Sequence, residues 1–446
     1  MALTSDEQAI IKKLAKKLNT KKTGNNTNYR YYYQKNLVPL LGIKDPTKQR
    51  ALSFMLGWAS TAVDLVSERI NLLNFYSEDA NAEWLKDINN TFNVNNYSNI
   101  ENALKRDAAT VGTTYASVWW GDLDNNEPEI FMTAESPLST YGEMNLRTGL
   151  LDVALQVTTM GDDYIGTLYT KNEIITVVRN KQNNWEELER IEHGYNEVPM
   201  FQFVNNADTM YPRGRSEITP ALKTITDDGI RAFADSSRIR SYHSDPILFL
   251  KNLETKNLTD SNGNPVNNLS QLADSIINLP YNDAEKVSPD LQQIMSSDPN
   301  IALETVDRLA KLAAREIGVS PAQYGFNTVN PSSAEAMNEA DKGLILKVST
   351  RIPQYSKTNK HMAKFILKLK GIEVPQNELE TLDTVFKRPS TPTPASFADY
   401  MAKMNAVGIF EKELPSFVYR GMEMSNVEIL ELKNWLKNNP NTEPPL

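Results

Sequence analysis

Residues 212–250 read PRGRSEITPALKTITDDGIRAFADSSRIRSYHSDPILFL, and this stretch decides the architecture. Ile218, Leu222, Ile225, Ile230 and Phe233 recur at three- and four-residue steps and form one apolar face. Lys223, Asp227, Asp228, Arg231, Asp235 and Arg238 occupy the rest. The pattern predicts a helix over 216–243, interrupted only by Gly229, a rod of roughly 40 Å at 1.5 Å per residue. The run PILFLKN (246–252) then changes the period to that of a strand.

Downstream, a second rod is expected over 298–318. Asp298 supplies the N-cap and Pro299 the first helical position, where its missing N–H costs nothing. Ala302, Val306, Leu309, Ala313 and Ile317 make its stripe, and Gly318 closes it. Between the rods lie PILFLKN, a turn at Asn262-Gly263-Asn264-Pro265, a short helix over 269–277 and a strand-like run over 291–295. Residues 319–331 hold too much Gly, Pro and Asn to stay helical, and Ser332–Glu335 is a capping box opening a helix to Lys370, with a kink expected at Pro353. A strand, LDTVFKR, follows, and short helices are expected over 396–438.

Upstream, the first helix carries Ile10, Ile11, Leu14 and Leu18 opposite Lys12, Lys13, Lys16, Lys17, Lys21 and Lys22, and is expected to break at Gly24–Asn28. Tyr29, Tyr31, Tyr32 and Tyr33 read as packing. Helices are expected over 47–74 and 100–110. From Tyr115 the period becomes strand-like, in YASVWWG, EIFMTAE, LDVALQVTT, DYIGTLYTK, EIITVVRN and WEELERIEHG, which marks a β-rich part over 111–205.

The chain has 446 residues, 40% hydrophobic and 23% charged, an ordinary globular composition. It has no cysteine, which removes disulfides, thiolate metal sites and thiol nucleophiles. The three histidines, His193, His243 and His361, lack metal-ligand spacing. Residues 1–50 carry eleven Lys/Arg against three Asp/Glu, +8, which leaves −17 for the remainder of a chain whose formal charge is −9. No apolar run reaches the length of a membrane span, and the start does not read as a secretory leader, so a cytosolic product is expected.

No phosphate loop occurs. Asp122/Asp124, Asp162/Asp163 and the Glu254-Thr255-Lys256 triplet have the lettering of magnesium or nuclease sites, but such short matches read as solvated turns in a chain with 56 acids. Nothing assembles an active site, and neither cofactor nor metal is expected.

The order of rod, compact insertion, rod, Gly/Asn loop and long kinked helix resembles the portal proteins of tailed double-stranded DNA bacteriophages, of the long-tailed type. Residues 212–250 look like the end of that family's first stem helix. AREIGVSPAQYGFNTVNPSSAEAMNEADKGL (314–344) resembles the second stem helix, tunnel loop and following helix. RPSTPTPASFADYMAKMNAVGIFEKELPSFVYRGMEMSNVEI (388–429) is similar to the crown.

The resemblance implies an α+β, mainly helical fold with wing, stem, clip and crown regions, assembling as a ring with a central channel. It implies a basic N-terminal arm at 1–29, a wing at 30–215, stem helices at 216–243 and 298–318, a clip at 244–297 and a tunnel loop at 319–332. A long kinked wing helix at 333–376 and a crown at 377–446 complete the set. Gln323, Tyr324, Asn327, Thr328 and Asn330 are then the DNA-facing tunnel-loop residues. Ile218, Leu222, Ile225, Phe233, Val306, Leu309 and Ile317 are the stem residues at subunit interfaces.

The implied partners are other copies in a homo-oligomer, usually a dodecamer, and double-stranded DNA passing without tight binding. The terminase large subunit, a head-completion adaptor, and major capsid and scaffolding proteins complete the list, with no membrane. The implied place is the portal vertex of the virion, after assembly in the host cytoplasm, and no catalysis is implied. An acidic wall with polar, uncharged loop tips fits a sliding duplex, since many phosphate contacts would hold it in place. The sequence leaves open another head protein, such as an adaptor or minor head protein, or a metal-dependent nuclease.

Overall fold

A computed structural model of the chain describes residues 3–40, 54–78, 82–160, 163–180, 184–244, 247–251, 290–294, 298–319 and 341–390, with 44, 45, 47, 399 and 403 singly. Roughly half of the described residues are helical and the rest include four sheets, an α+β fold.

Helix α1 (Ser5–Tyr32) starts in a capping box, with Thr4 and Glu7 satisfying each other's backbone N–H groups. Its Ile11, Leu14 and Leu18 are buried against Tyr141, Leu155, Leu168, Ile175, Val177 and Trp185. Those residues belong to an antiparallel meander of β4 (Thr140–Met144), β5 (Leu151–Met160), β6 (Asp163–Tyr169), β7 (Glu173–Arg179) and β8 (Trp185–Glu192), in that order. Alternation along β7, with Ile175 and Val177 fully buried, gives the sheet the single apolar face that α1 covers.

The second sheet has the order β3 (Ile130–Glu135), β2 (Thr113–Trp120), β9 (Met200–Val204). It lies in the main core with α2 (Trp58–Ser67), α3 (Glu83–Val94) and α4 (Tyr97–Val111). Trp119 packs against that core, whereas its neighbour Trp120 is exposed, as adjacent residues on a strand must be. The rods are α5 (Pro220–Ser244) and α6 (Pro299–Ile317). They continue into β10 (Ile247–Lys251) and β11 (Asp290–Ile294), paired antiparallel from Ile247↔Ile294 to Lys251↔Asp290. Helix α7 (Lys342–Leu369) passes through the main core with Pro353 inside it, followed by α8 (Gln376–Glu380) and β12 (Asp383–Phe386).

Two expectations are corrected. The first helix does not break at Gly24–Asn28; it continues to Tyr32 and so crosses the expected arm-to-wing boundary at residue 29. Gly24 faces open space and costs only its helix propensity, about 1 kcal/mol. Against that stand tertiary bonds: buried Asn28 donates to the Thr110 carbonyl (2.9 Å) and accepts from Lys223 Nζ (2.6 Å). The Tyr31 hydroxyl donates to Asp227 and that of Tyr32 to Asp64, each at 2.9 Å.

The helix expected over 47–74 is described only as Trp58–Ser67, and Leu72–Tyr76 is a strand, β1, paired antiparallel with β12. Buried Glu101 and Lys105 draw the backbone off the helix. Glu101 accepts from Leu72 N (3.0 Å), and Lys105 Nζ donates to the Ile70 carbonyl (2.8 Å). Burial pushes the Glu101 carboxyl up to about 7, opposed by the Lys105 charge, and the same burial pulls Lys105 down. The expected helix at 332–335, the helix at 269–277 and those over 396–438 lie outside the described residues, apart from Asp399 and Lys403.

Candidate functional site

The two rods pack antiparallel along their lengths, and alanines allow it. Ala310, Ala313 and Ala314 of α6 are almost fully buried, with Val306 and Ile317 at either side; on α5, Leu222, Ile230 and Ala234 are buried. Gly229, the apparent interruption in α5, has a local reason. A Cβ there would collide with the side chains of Leu56 and Trp58, so a rod passing this close to α2 requires glycine.

At the base, polar bonds lock both rods to the wing. Glu217 accepts from Arg351 Nε (3.1 Å) and Nη2 (2.9 Å) and from Asn205 Nδ2 (2.9 Å), and both members of the ion pair are buried. The Glu217 N–H donates to the Ala109 carbonyl (2.8 Å). Thr219 Oγ1 donates to Glu316 Oε1 (2.9 Å), and Lys347 Nζ donates to the Glu316 carbonyl (2.9 Å), joining α5, α6 and α7 at one point. Immediately before, Gly112 and Gly214 lie back to back at φ +98° and +81°, and a Cβ on Gly214 would strike the Gly112 carbonyl oxygen.

All seven stem residues singled out by the sequence pack inside the chain. Ile218, Leu222, Val306 and Ile317 are buried, whereas Ile225, Phe233 and Leu309 are half-buried against the main core, with Phe233 stacked on Phe54 at 5.7 Å. The apolar surface left open lies elsewhere: Ile301 (63% exposed), Leu303 (38%) and Leu312 (49%) on α6, and Leu346 (60%) on α7. The heptad-like stripe identified which residues are apolar but not which neighbour covers them. Gln323, Tyr324, Asn327, Thr328 and Asn330 lie outside the described residues.

The charges along α5 pair within the chain. Arg231 bonds Asp228 (2.6 Å), Arg238 bonds Asp235 (3.5 Å), and Asp227 accepts from Tyr31. Sequence reasoning missed Glu217 and Arg351, whose 134-residue separation leaves no local signal. The catalytic-looking letters dissolve where they are described. Asp122 caps its own turn, accepting from Asp124 N (3.0 Å) and Asn125 Nδ2 (2.8 Å). His193 stacks on Tyr195, and burial lowers its pKa. His361 lies against Glu197 and edge-on to Phe201, beside a recess of about 420 Å³ between the β4–β5 turn, β9 and α7. Among the described residues no group of three acids or histidines could hold a metal, and no helix is long and apolar enough to cross a membrane.

The family described as "Phage portal protein, SPP1 Gp6-like" matches residues 11–433. The portal protein of Mycobacterium phage D29 is 27% identical over 424 residues, covering 92% of this chain and 84% of that protein. The portal protein of Mycobacterium phage L5 is 26% identical over 423 residues, with the same coverage. Among solved structures, a chain from the neck of an empty GTA particle computed with C6 symmetry aligns at a TM-score of 0.46 and 13% identity, covering 87% of this chain and 95% of that one. With nearly its whole length matched, from the basic helix through both rods, the chain belongs to the SPP1 Gp6-like family of phage portal proteins.

Proposed function

We propose that this portal protein assembles as a closed ring, usually a dodecamer in its family, whose rods form the wall of a channel for double-stranded DNA. The observation that carries the reading is a short apolar stripe on α6, made by Ile301 and Leu312, which lie within about 20° of each other around the helix and opposite the buried face of Val306, Ala310, Ala313 and Ile317. A monomer exposing that stripe in water gains by burying it against an identical neighbour, and a heterologous contact repeated around an axis closes a ring. Half-exposed leucine and isoleucine side chains are each worth on the order of 1 kcal/mol when covered.

In this arrangement residues 30–215 form the wing, 216–243 and 298–318 the stem, 244–297 the clip, 319–332 the tunnel loop, 333–376 the long wing helix and 377–446 the crown. Ile225, Phe233 and Leu309, half-buried in the single chain, add to the contact between subunits. DNA passes the uncharged loop residues Gln323, Tyr324, Asn327, Thr328 and Asn330 without strong phosphate contacts. The terminase motor, then a head-completion adaptor, docks at the clip, while capsid and scaffolding proteins surround the wing at the portal vertex. The role is structural, with no reaction of its own, and assembly takes place in the host cytoplasm.

Two experiments test this. Ile301→Asp with Leu312→Asp should shift the mass measured by light scattering from ring to monomer; an unchanged mass would remove the stripe from the interface. Asn327→Lys with Asn330→Lys should slow or stall DNA packaging, and normal filling would take the loop out of the channel.

A further inference from the structure

The lysines of α1 fall into two groups, and the structure treats them differently. Lys13 and Lys17 both bond Glu143 on β4, at 2.9 and 3.0 Å. Lys12, Lys16, Lys21 and Lys22 are exposed and make no ion pair among the described residues. At about 100° per residue, Lys12, Lys16, Asn19 and Lys22 fall on the side of α1 that faces β7 and β8, away from Glu143. There an open groove of about 540 Å³ is lined by Lys12, Lys16, Asn19, Thr20 and Arg179 over the buried Trp185. No carboxylate among the described residues lines it. Arg179 lies over the Tyr164 ring at 5.6 Å, held where β7 ends.

This selective neutralisation is what makes the groove distinctive. The acidic body of the chain, −17 outside residues 1–50, supplies enough carboxylates to pair every lysine on this helix. They are used on the β4 side, and at Arg190, which holds Glu7, Glu173 and Glu187. Among the described residues none lines the groove. Lys12 and Lys16 in the groove, Lys22 about 9 Å further along the same side of the helix, and Arg179 on the facing strand match a run of backbone phosphates, and the Asn19 amide between them can donate to phosphate oxygens.

We infer that the α1–β7 groove is a sequence-independent binding surface for the phosphate backbone of duplex DNA, on the wing and separate from the channel. The groove holds DNA by charge, whereas the channel lets it slide. The inference does not depend on ring closure, because the surface lies within one chain.

The test uses the full-length protein and a fluorescein-labelled random-sequence 30-base-pair duplex, with binding read by anisotropy over a potassium chloride series. Replacing Lys12, Lys16, Lys22 and Arg179 by Gln removes four phosphate contacts. The slope of log K against log salt should become shallower by about 3.6, so that between 50 and 200 mM salt the wild type loses about 150-fold more affinity than the variant. Replacing the three lysines by Arg should preserve the wild-type slope. A Lys311→Gln, Lys364→Gln control, exposed cations on the rods and α7, should leave it unchanged. An unaltered slope in the four-site variant overturns the inference. Loss of binding to a polyglutamate peptide with the DNA slope intact also overturns it, assigning the groove to an acidic protein segment. Because the readout is solution binding, it is independent of the packaging assay that tests the channel.

Discussion

Removing the Arg351 guanidinium should damage the molecule more than any exposed charge change, and the structure sets the size of the effect. Arg351 and Glu217 side chains are only 8% and 9% exposed, and the pair joins α7 to the start of the first rod. With Arg351→Met, Glu217 keeps the single donor of Asn205 Nδ2 and remains a buried anion whose nearby cation is Lys347, its own charge disfavoured by burial. Breaking a buried pair on one side costs about 3–5 kcal/mol, against roughly 0–1 for a surface pair such as Lys403–Asp399. The matched double variant Glu217→Met, Arg351→Met removes both charges and should recover most of that loss. Urea unfolding followed by helical circular dichroism reads the difference, at fixed protein concentration because assembly adds its own stability. Hydrogen exchange at the first turns of α5 should accelerate in the single variant only. A loss below about 1 kcal/mol for Arg351→Met would refute the claim that this pair anchors the rods.

Further outcomes follow from other buried groups. Glu101 has a folded pKa near 7 against an ordinary 4.5, so the folded chain keeps a proton that the unfolded chain releases. Its contribution is therefore complete below about pH 4.5 and is lost as pH rises through 7, and Glu101→Gln should flatten that slope in a stability-against-pH series. Glu7 behaves oppositely: its hydrogen bond to Arg190 holds it down at about 2, so its contribution is present above 4.5 and disappears as pH falls toward 2. Acidification, or Glu7→Gln at neutral pH, should loosen the start of α1 and red-shift the emission of Trp185 buried beneath it. Gly214→Ala combines a left-handed φ with a backbone collision and should cost 2 kcal/mol or more, on the order of a strained backbone site, in the same urea assay.

What the sequence revealed was whatever depends on local period and capping. Both rods, the Asp298-Pro299 start, the Gly318 stop and most strands of the meander follow from spacings within a dozen residues. Helix α3 was not expected, although Trp84, Leu85, Ile88 and Phe92 have helical spacing, because polar neighbours dilute the pattern. The other failures involve distant partners. The strand character of Leu72–Tyr76 depends on β12, over three hundred residues away. The continuity of α1 depends on Thr110, Lys223 and Asp227. For the stem, the stripe identified apolar residues that are buried or half-buried within the chain, while Ile301 and Leu312 stay exposed on the opposite side of α6. That distinction needs the angle between two helices, which no single helix encodes.

In the proposed ring these rods are the staves. End-on cryo-electron microscopy class averages of the purified full-length protein address it directly. The expected images are closed rings with rotational symmetry and a central hole wide enough for a DNA duplex, with density for paired helices around it. Particles that stay single at concentrations well above those used for imaging, or close without a hole, would contradict it.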